Sequence, residues 1–179
     1  KDISSFANSG EGVHISTNSA DAKFGNVTIS GVNFVNSNAD TGLFVSIQNY
    51  GSLNMSGVNA EKNGATGIWA SVNHATNAGT ITITQSYVNF NAQIGLGINA
   101  RNSVLLNGIY ALNNGTDGDG TTDYDGVLIT QNNSGVTNTI QNCVLHGNTG
   151  SGLDIERNGS GTVITNTSYF GNNINNYGN

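Results

Sequence analysis

The densest chemistry in the chain is the stretch "GTDGDGTTDYDG", residues 115–126. Asp117, Asp119, Asp123 and Asp125 place four carboxylates in nine residues of a glycine-rich loop. Hard oxygens at this density suit Ca²⁺, and like charges so close repel unless a cation neutralises them. The loop does not match an EF-hand, because the third acidic position and the closing Glu are missing. The competing expectation is a solvated acidic turn.

A second acidic pair is Asp154 and Glu156. At spacing i, i+2 on a strand both side chains point the same way, with Cα atoms ~6.6–7 Å apart. That spacing approaches the ~6.5–9.5 Å carboxyl separation of inverting glycosidases. Asp125 joins this pair if one repeat separates them. The expectation is an acidic structural edge, with a catalytic group of Asp125, Asp154 and Glu156 as the alternative.

These residues are positioned by a repeat. Gly, aliphatic, variable, aliphatic, polar recurs as "GVHIS" (12–16), "GLFVS" (42–46), "GIWAS" (67–71), "GLGIN" (95–99), "GVLIT" (126–130) and "GLDIE" (152–156). Successive glycines lie 25–31 residues apart. Between them run further alternating segments, among them "VTISGVNF", "LNMSGVNA", "ITITQSYVNF" and "VLLNGIYA". Period-2 alternation with frequent β-branched residues describes half-buried strands, and no 3.6 period persists. Several short strands per repeat describe a coil of a β-solenoid.

The pattern resembles the right-handed parallel β-helix repeats of the pectate-lyase-like superfamily, over nearly the whole chain. That resemblance implies an all-β, single-domain parallel β-helix over 1–179, with about six coils of roughly 25–31 residues. The right hand is also the general preference for parallel crossovers. The resemblance says little about activity, since enzymes, phage spikes and adhesins share the fold. The Asn-Thr-Asp, Asp-Asp, Gly-His-Gly and Arg-Ile-Lys elements of polygalacturonase-like enzymes do not occur here. Pectate-lyase-like chemistry would need an Arg base beside calcium, and only Arg101 and Arg157 are candidates.

Stacked coils predict columns. Val13, Leu43, Ile68, Leu96, Val127 and Leu153 should point inward, as should Ile15, Val45, Ala70, Ile98, Ile129 and Ile155. The outward columns are then His14, Phe44, Trp69, Gly97, Leu128, Asp154 and Ser16, Ser46, Ser71, Asn99, Thr130, Glu156. Glu11, Thr41, Thr66, Ile94, Asp125 and Ser151 are expected to complete one flat face. Phe44 and Trp69 form an aromatic platform on it, spaced for ring stacking at ~4.8 Å. The platform suits a glycan or a protein partner, or a loop of this chain covers it. Gly97 leaves room for the Trp69 indole to lie across it. His14 reads as a solvated or hydrogen-bonded surface residue. An Asn four residues before the Gly recurs as Asn8, Asn38, Asn63, Asn91 and Asn148. These fit left-handed turns, and stacked amides could also pair along the rod.

Composition narrows the partners. The 179 residues are 36% hydrophobic and only 9% charged, with 25 Gly, no Pro and a net charge of −6. Lys1, Lys23, Lys62, Arg101 and Arg157 are scattered, so no basic patch awaits nucleic acid. No apolar run approaches a membrane span. Cys143, the single cysteine, reads as a small buried apolar residue. The Asn/Ser/Thr-rich, cysteine-poor make-up suggests an extracellular or cell-surface protein. Residues 1–12 and 173–179 read as partial repeats, which predicts a segment of a longer solenoid or a stacking subunit. Open strand edges would then drive self-association. The functional expectation is a structural segment of a surface fibre, adhesin or surface layer. The alternative is a polysaccharide-active enzyme or glycan-binding module.

Overall fold

The computed structural model describes residues 2–17, 26–31, 33–48, 51–73, 79–116, 124–157 and 161–172. Among these residues the chain is a parallel β-solenoid with no helix. The Gly-led segments form one six-stranded sheet: Val13–Thr17, Leu43–Ile47, Ile68–Val72, Leu96–Ala100, Val127–Gln131 and Leu153–Arg157. Its register aligns the expected columns residue for residue, including Phe44 with Trp69, Trp69 with Gly97 and Leu128 with Asp154.

The remaining strands form one eleven-stranded sheet with two rows. The first row runs from Val27–Ile29 through Leu53–Ser56 to Thr137–Gln141 and Gly161–Thr165. The second runs from Ser4–Phe6 through Asn33–Asn36 and Val58–Asn59 to Val144–His146 and Ser168–Phe170. The long strands Ile81–Tyr87 and Val104–Leu112 belong to both rows. The sheet bends where Gly31, Gly57, Gln85, Gly108, Asn142 and Asn166 hold φ between 47° and 102°.

The core follows from the alternation. Ile68, Leu96, Ala70, Ile98 and Ile129 are fully buried, and so are Ile83 and Leu106 from the first row and Val88 and Ala111 from the second. Each buried aliphatic removes apolar surface from water at ~25 cal/mol per Å². The stabilisation repeats at every coil because equivalent residues stack. Cys143 is 1% exposed, and its thiol donates to the Gln141 carbonyl at 3.2 Å. Burial pushes that thiol's pKa up, which keeps it protonated.

A second corner carries a column of buried asparagines: Asn38, Asn63, Asn91, Asn114 and Asn148, with Asn8 and Asn172 beyond them. Each side chain donates through Nδ2 to the next Oδ1, at 2.7–3.0 Å from Asn8 to Asn172. The same Oδ1 also accepts the backbone N–H of the preceding ladder Asn, as Asn91 does for Asn63 at 3.1 Å. The second Nδ2 hydrogen goes to a core-facing carbonyl, as from Asn91 to Ala60 and from Asn114 to Val88. A buried carboxamide with all four positions filled loses nothing to desolvation.

This corrects the expected turn role. The left-handed residue is the one before each ladder Asn: Ala7, Ser37, Lys62, Phe90, Asn113, Gly147 and Gly171. The asparagines act through their side chains, not through a tolerance for positive φ.

Candidate functional site

The expected outer face is built on the six-stranded sheet. Phe44, Trp69 and Leu128 alternate with buried aliphatics and His14 with the half-buried Val13 and Ile15, as the pleat requires. His14 is exposed, and its Nδ1 lies 2.6 Å from Glu11 Oε2. Its ring stacks on Phe44, with centroids 4.7 Å apart and planes 25° from parallel. Phe44 is therefore stacked on the His14 side. Trp69 is half-buried, and a Cβ added to Gly97 would collide with its Cε3 and lie 2.6 Å from its Cζ3. The indole lies across the space that Gly97 leaves empty. The two proposed platform rings thus share a column, and each leans on a different neighbour.

The acidic residues separate into two environments. Asp154 and Glu156 follow each other on the same side of one strand, with Ile155 buried between them. Glu156 is exposed and accepts a hydrogen bond from Thr130 Oγ1 at 3.1 Å. Burial first, and the negative charge of Glu156 second, raise the Asp154 carboxyl above its usual range.

Asp125 does not lie on an open face. It is 9% exposed; in the same column Ser151 of the next coil is 5% exposed, and Thr66, two coils away, is 6% exposed. The expected third outward column is therefore turned in at Thr66, Asp125 and Ser151, while Glu11, Thr41 and Ile94 are half-buried. The cause is the corner: the residue before each repeat Gly no longer follows the strand's alternation. Asp125 Oδ1 accepts the Ser151 backbone N–H at 2.7 Å, tying one coil to the next. Its carboxyl pKa is pushed up to about 6. Burial is the largest cause, and the charges of Asp154 and Glu156 add to it against the pull of the Ser151 N–H. Of the carboxylates proposed for calcium, Asp117, Asp119 and Asp123 lie outside the described residues. Among the described residues no group of three or more side chains is arranged to hold a metal ion.

A second aromatic surface was not singled out by the repeat. Tyr87 and Tyr110 are paired in register on the second row of the larger sheet. Their rings stack with centroids 5.0 Å apart and planes 16° from parallel. They border a groove of about 470 Å³ along the bend of the sheet. The two tyrosines are 23 residues apart in sequence, shorter than any Gly-to-Gly spacing. Counting from the repeat Gly therefore does not align them. Counting from Gln85 and Gly108 of the bend does, since each tyrosine lies two residues further on.

No protein-family model, curated protein or solved structure matches the chain.

Proposed function

We propose that this chain is a structural β-solenoid of an extracellular fibre, adhesin or surface layer. The observation that carries this reading is the asparagine ladder, hydrogen-bonded without interruption from Asn8 to Asn172. It runs parallel to aliphatic columns that repeat coil after coil. A unit held by identical nearest-neighbour contacts is stiff along its axis and can be extended by adding coils. The outermost strand Val13–Thr17 also favours extension, whereas Leu153 and Ile155 at the other edge are already 0% and 1% exposed. Val13 and Ile15 are only half-buried, whereas Leu43 and Val45 in the next coil are 1% and 0% exposed. A further coil, from the same polypeptide or from another copy, would complete their burial. Low charge and an Asn/Ser/Thr-rich surface fit a location outside the cell. The repeat resembles the right-handed parallel β-helices of the pectate-lyase-like superfamily.

Negative-stain microscopy and analytical ultracentrifugation test the reading. End-to-end rods and concentration-dependent association support it. Monodisperse single particles at high concentration count against it.

One observation favours a second reading, a polysaccharide-active protein. Asp125 and Asp154 are neighbouring carboxyls that both titrate above the ordinary range. Perturbed acids in contact with ionised ones are what glycoside chemistry uses. Loss of depolymerisation of an acidic polysaccharide in Asp154→Asn would establish this reading over the structural one.

A further inference from the structure

The groove beside Tyr87 and Tyr110 lies in the larger sheet, apart from the acidic face. Four of its lining residues, Gly57, Gln85, Gly108 and Asn142, follow one another along the bend column. Three coil steps span ~14 Å at the inter-strand spacing. That length holds a short extended ligand of a few rings.

One wall is aromatic. Tyr87 and Tyr110 are 45% and 36% exposed, and their stack fixes both rings before any ligand arrives. Preorganised rings offer large contact area at little entropic cost. The two phenol hydroxyls make no hydrogen bond within the described structure.

The rest of the polar lining is made of carboxamides. Asn142 Nδ2 donates to Asn107 Oδ1 at 2.8 Å, and Asn166 Nδ2 donates to Asn142 Oδ1 at 2.6 Å. These bonds hold Asn107 and Asn142 in place and leave amide hydrogens for a ligand. Gln85 stands between Gly57 and Gly108, and their missing side chains open the groove on both sides of it. Gln85 itself is exposed, and its carboxamide makes no hydrogen bond among the described residues.

Gln85 also holds φ at 48°, a left-handed conformation that is unfavourable for a non-glycine residue. Its two neighbours in the column are glycines with φ of 68° and 70°. Asn142 and Asn166 of the same column hold positive φ as well, so Gln85→Gly should relax the backbone while removing the carboxamide. Among the described residues no charged side chain lines the groove. Phosphate- or carboxylate-bearing ligands find no counter-ion there.

We infer that this groove binds a neutral oligosaccharide along the rod axis. Tyr87 and Tyr110 pack against the C–H surface of the sugar rings, and Gln85, Asn107 and Asn142 pair with the hydroxyls. An amide both donates and accepts, so it can bridge vicinal hydroxyls. This site is independent of the acidic face and of the structural role proposed above.

The test is isothermal titration of the whole chain against neutral hexasaccharides, with β-1,4-glucan, β-1,4-xylan, β-1,4-mannan and α-1,4-glucan as the probes. A hexagalacturonate and a proline-rich decapeptide complete the set. At least one neutral probe should bind. Its affinity should fall at least about tenfold in Tyr110→Leu, which keeps bulk but removes the ring, and in Gln85→Gly, which relaxes the backbone. A Gln85→Gly variant that is more stable yet binds worse separates a binding role from a structural one. Asp154→Asn should leave affinity unchanged. Four outcomes overturn the proposal: no neutral probe binds; binding survives both groove variants; binding is lost in Asp154→Asn instead; or the acidic hexamer or the peptide binds more tightly than every neutral sugar.

Discussion

Asn91 occupies the space that a side chain at Gly67 would need: a Cβ there would lie 2.5 Å from Asn91 Nδ2 and 2.7 Å from the Gly95 carbonyl oxygen. The same relation joins Gly42 to Asn63, Gly95 to Asn114 and Gly126 to Asn148. The repeat glycine is thus explained by packing, since none of these four has a positive φ. The two recurring residues of the motif, Gly and Asn, require each other across adjacent coils.

Gly67→Ala should therefore destabilise the fold by about 1–3 kcal/mol through overpacking against backbone and a buried amide. Gly10→Ala provides the control. A Cβ there meets nothing within 4 Å, and the change should stay within about 0.5 kcal/mol. Urea denaturation of the two variants measures both effects.

Asn91→Ala removes two donated and two accepted hydrogen bonds inside the core. It leaves the Ala60 carbonyl, the Asn114 oxygen and both Asn63 donors short of a partner. The expected loss is about 2–4 kcal/mol by urea denaturation. Asn91→Asp should be at least as damaging at neutral pH and milder in acid. An ionised carboxylate cannot donate to Asn114, and a protonated one can donate once.

Gly97→Ala should displace the indole of Trp69, the single tryptophan of the chain. Emission of that residue should shift to the red, and acrylamide should quench it more readily. An unchanged spectrum would show that the ring does not rest on Gly97.

Asp125 makes stability fall as pH rises. Below its unfolded value of 3.8 the group is protonated in both states. Between 3.8 and about 6 the unfolded chain gives up a proton that the folded chain keeps, which favours unfolding. Asp125→Asn keeps an oxygen for the Ser151 N–H and removes the titration. The variant should match the parent near pH 3.5 and exceed it by on the order of 1–2 kcal/mol above pH ~6.5, allowing for solvent screening. Thermal midpoints across pH 3.5–7.5 report the difference.

The fold was legible because its signal is periodic. Six copies of a five-residue pattern define strand phase, and phase decides which side chains enter the core. The inward columns and the Phe44–Trp69–Gly97 alignment follow from that alone. The asparagine ladder was legible only in part. Asn114 is separated from Gly126 by the acidic loop, so counting back from the glycine misses it. Counting forward from the preceding strand finds Asn114 and Asn172, because each lies two residues after Leu112 or Phe170, as Asn148 does after His146.

Corners were not legible, and the candidate sites depend on them. Alternation ends where the chain turns, so the burial of Asp125 and the left-handed φ of Gln85 have no signature in the pattern. The Tyr87–Tyr110 groove likewise exists only once coils of unequal length are stacked. Local periodicity determined the rod, its core and its outer columns. Contacts between residues 23–34 positions apart decided which carboxyl is buried, which amides pair and where a groove opens. Those contacts depend on loop lengths and corner geometry, which the strand period does not encode.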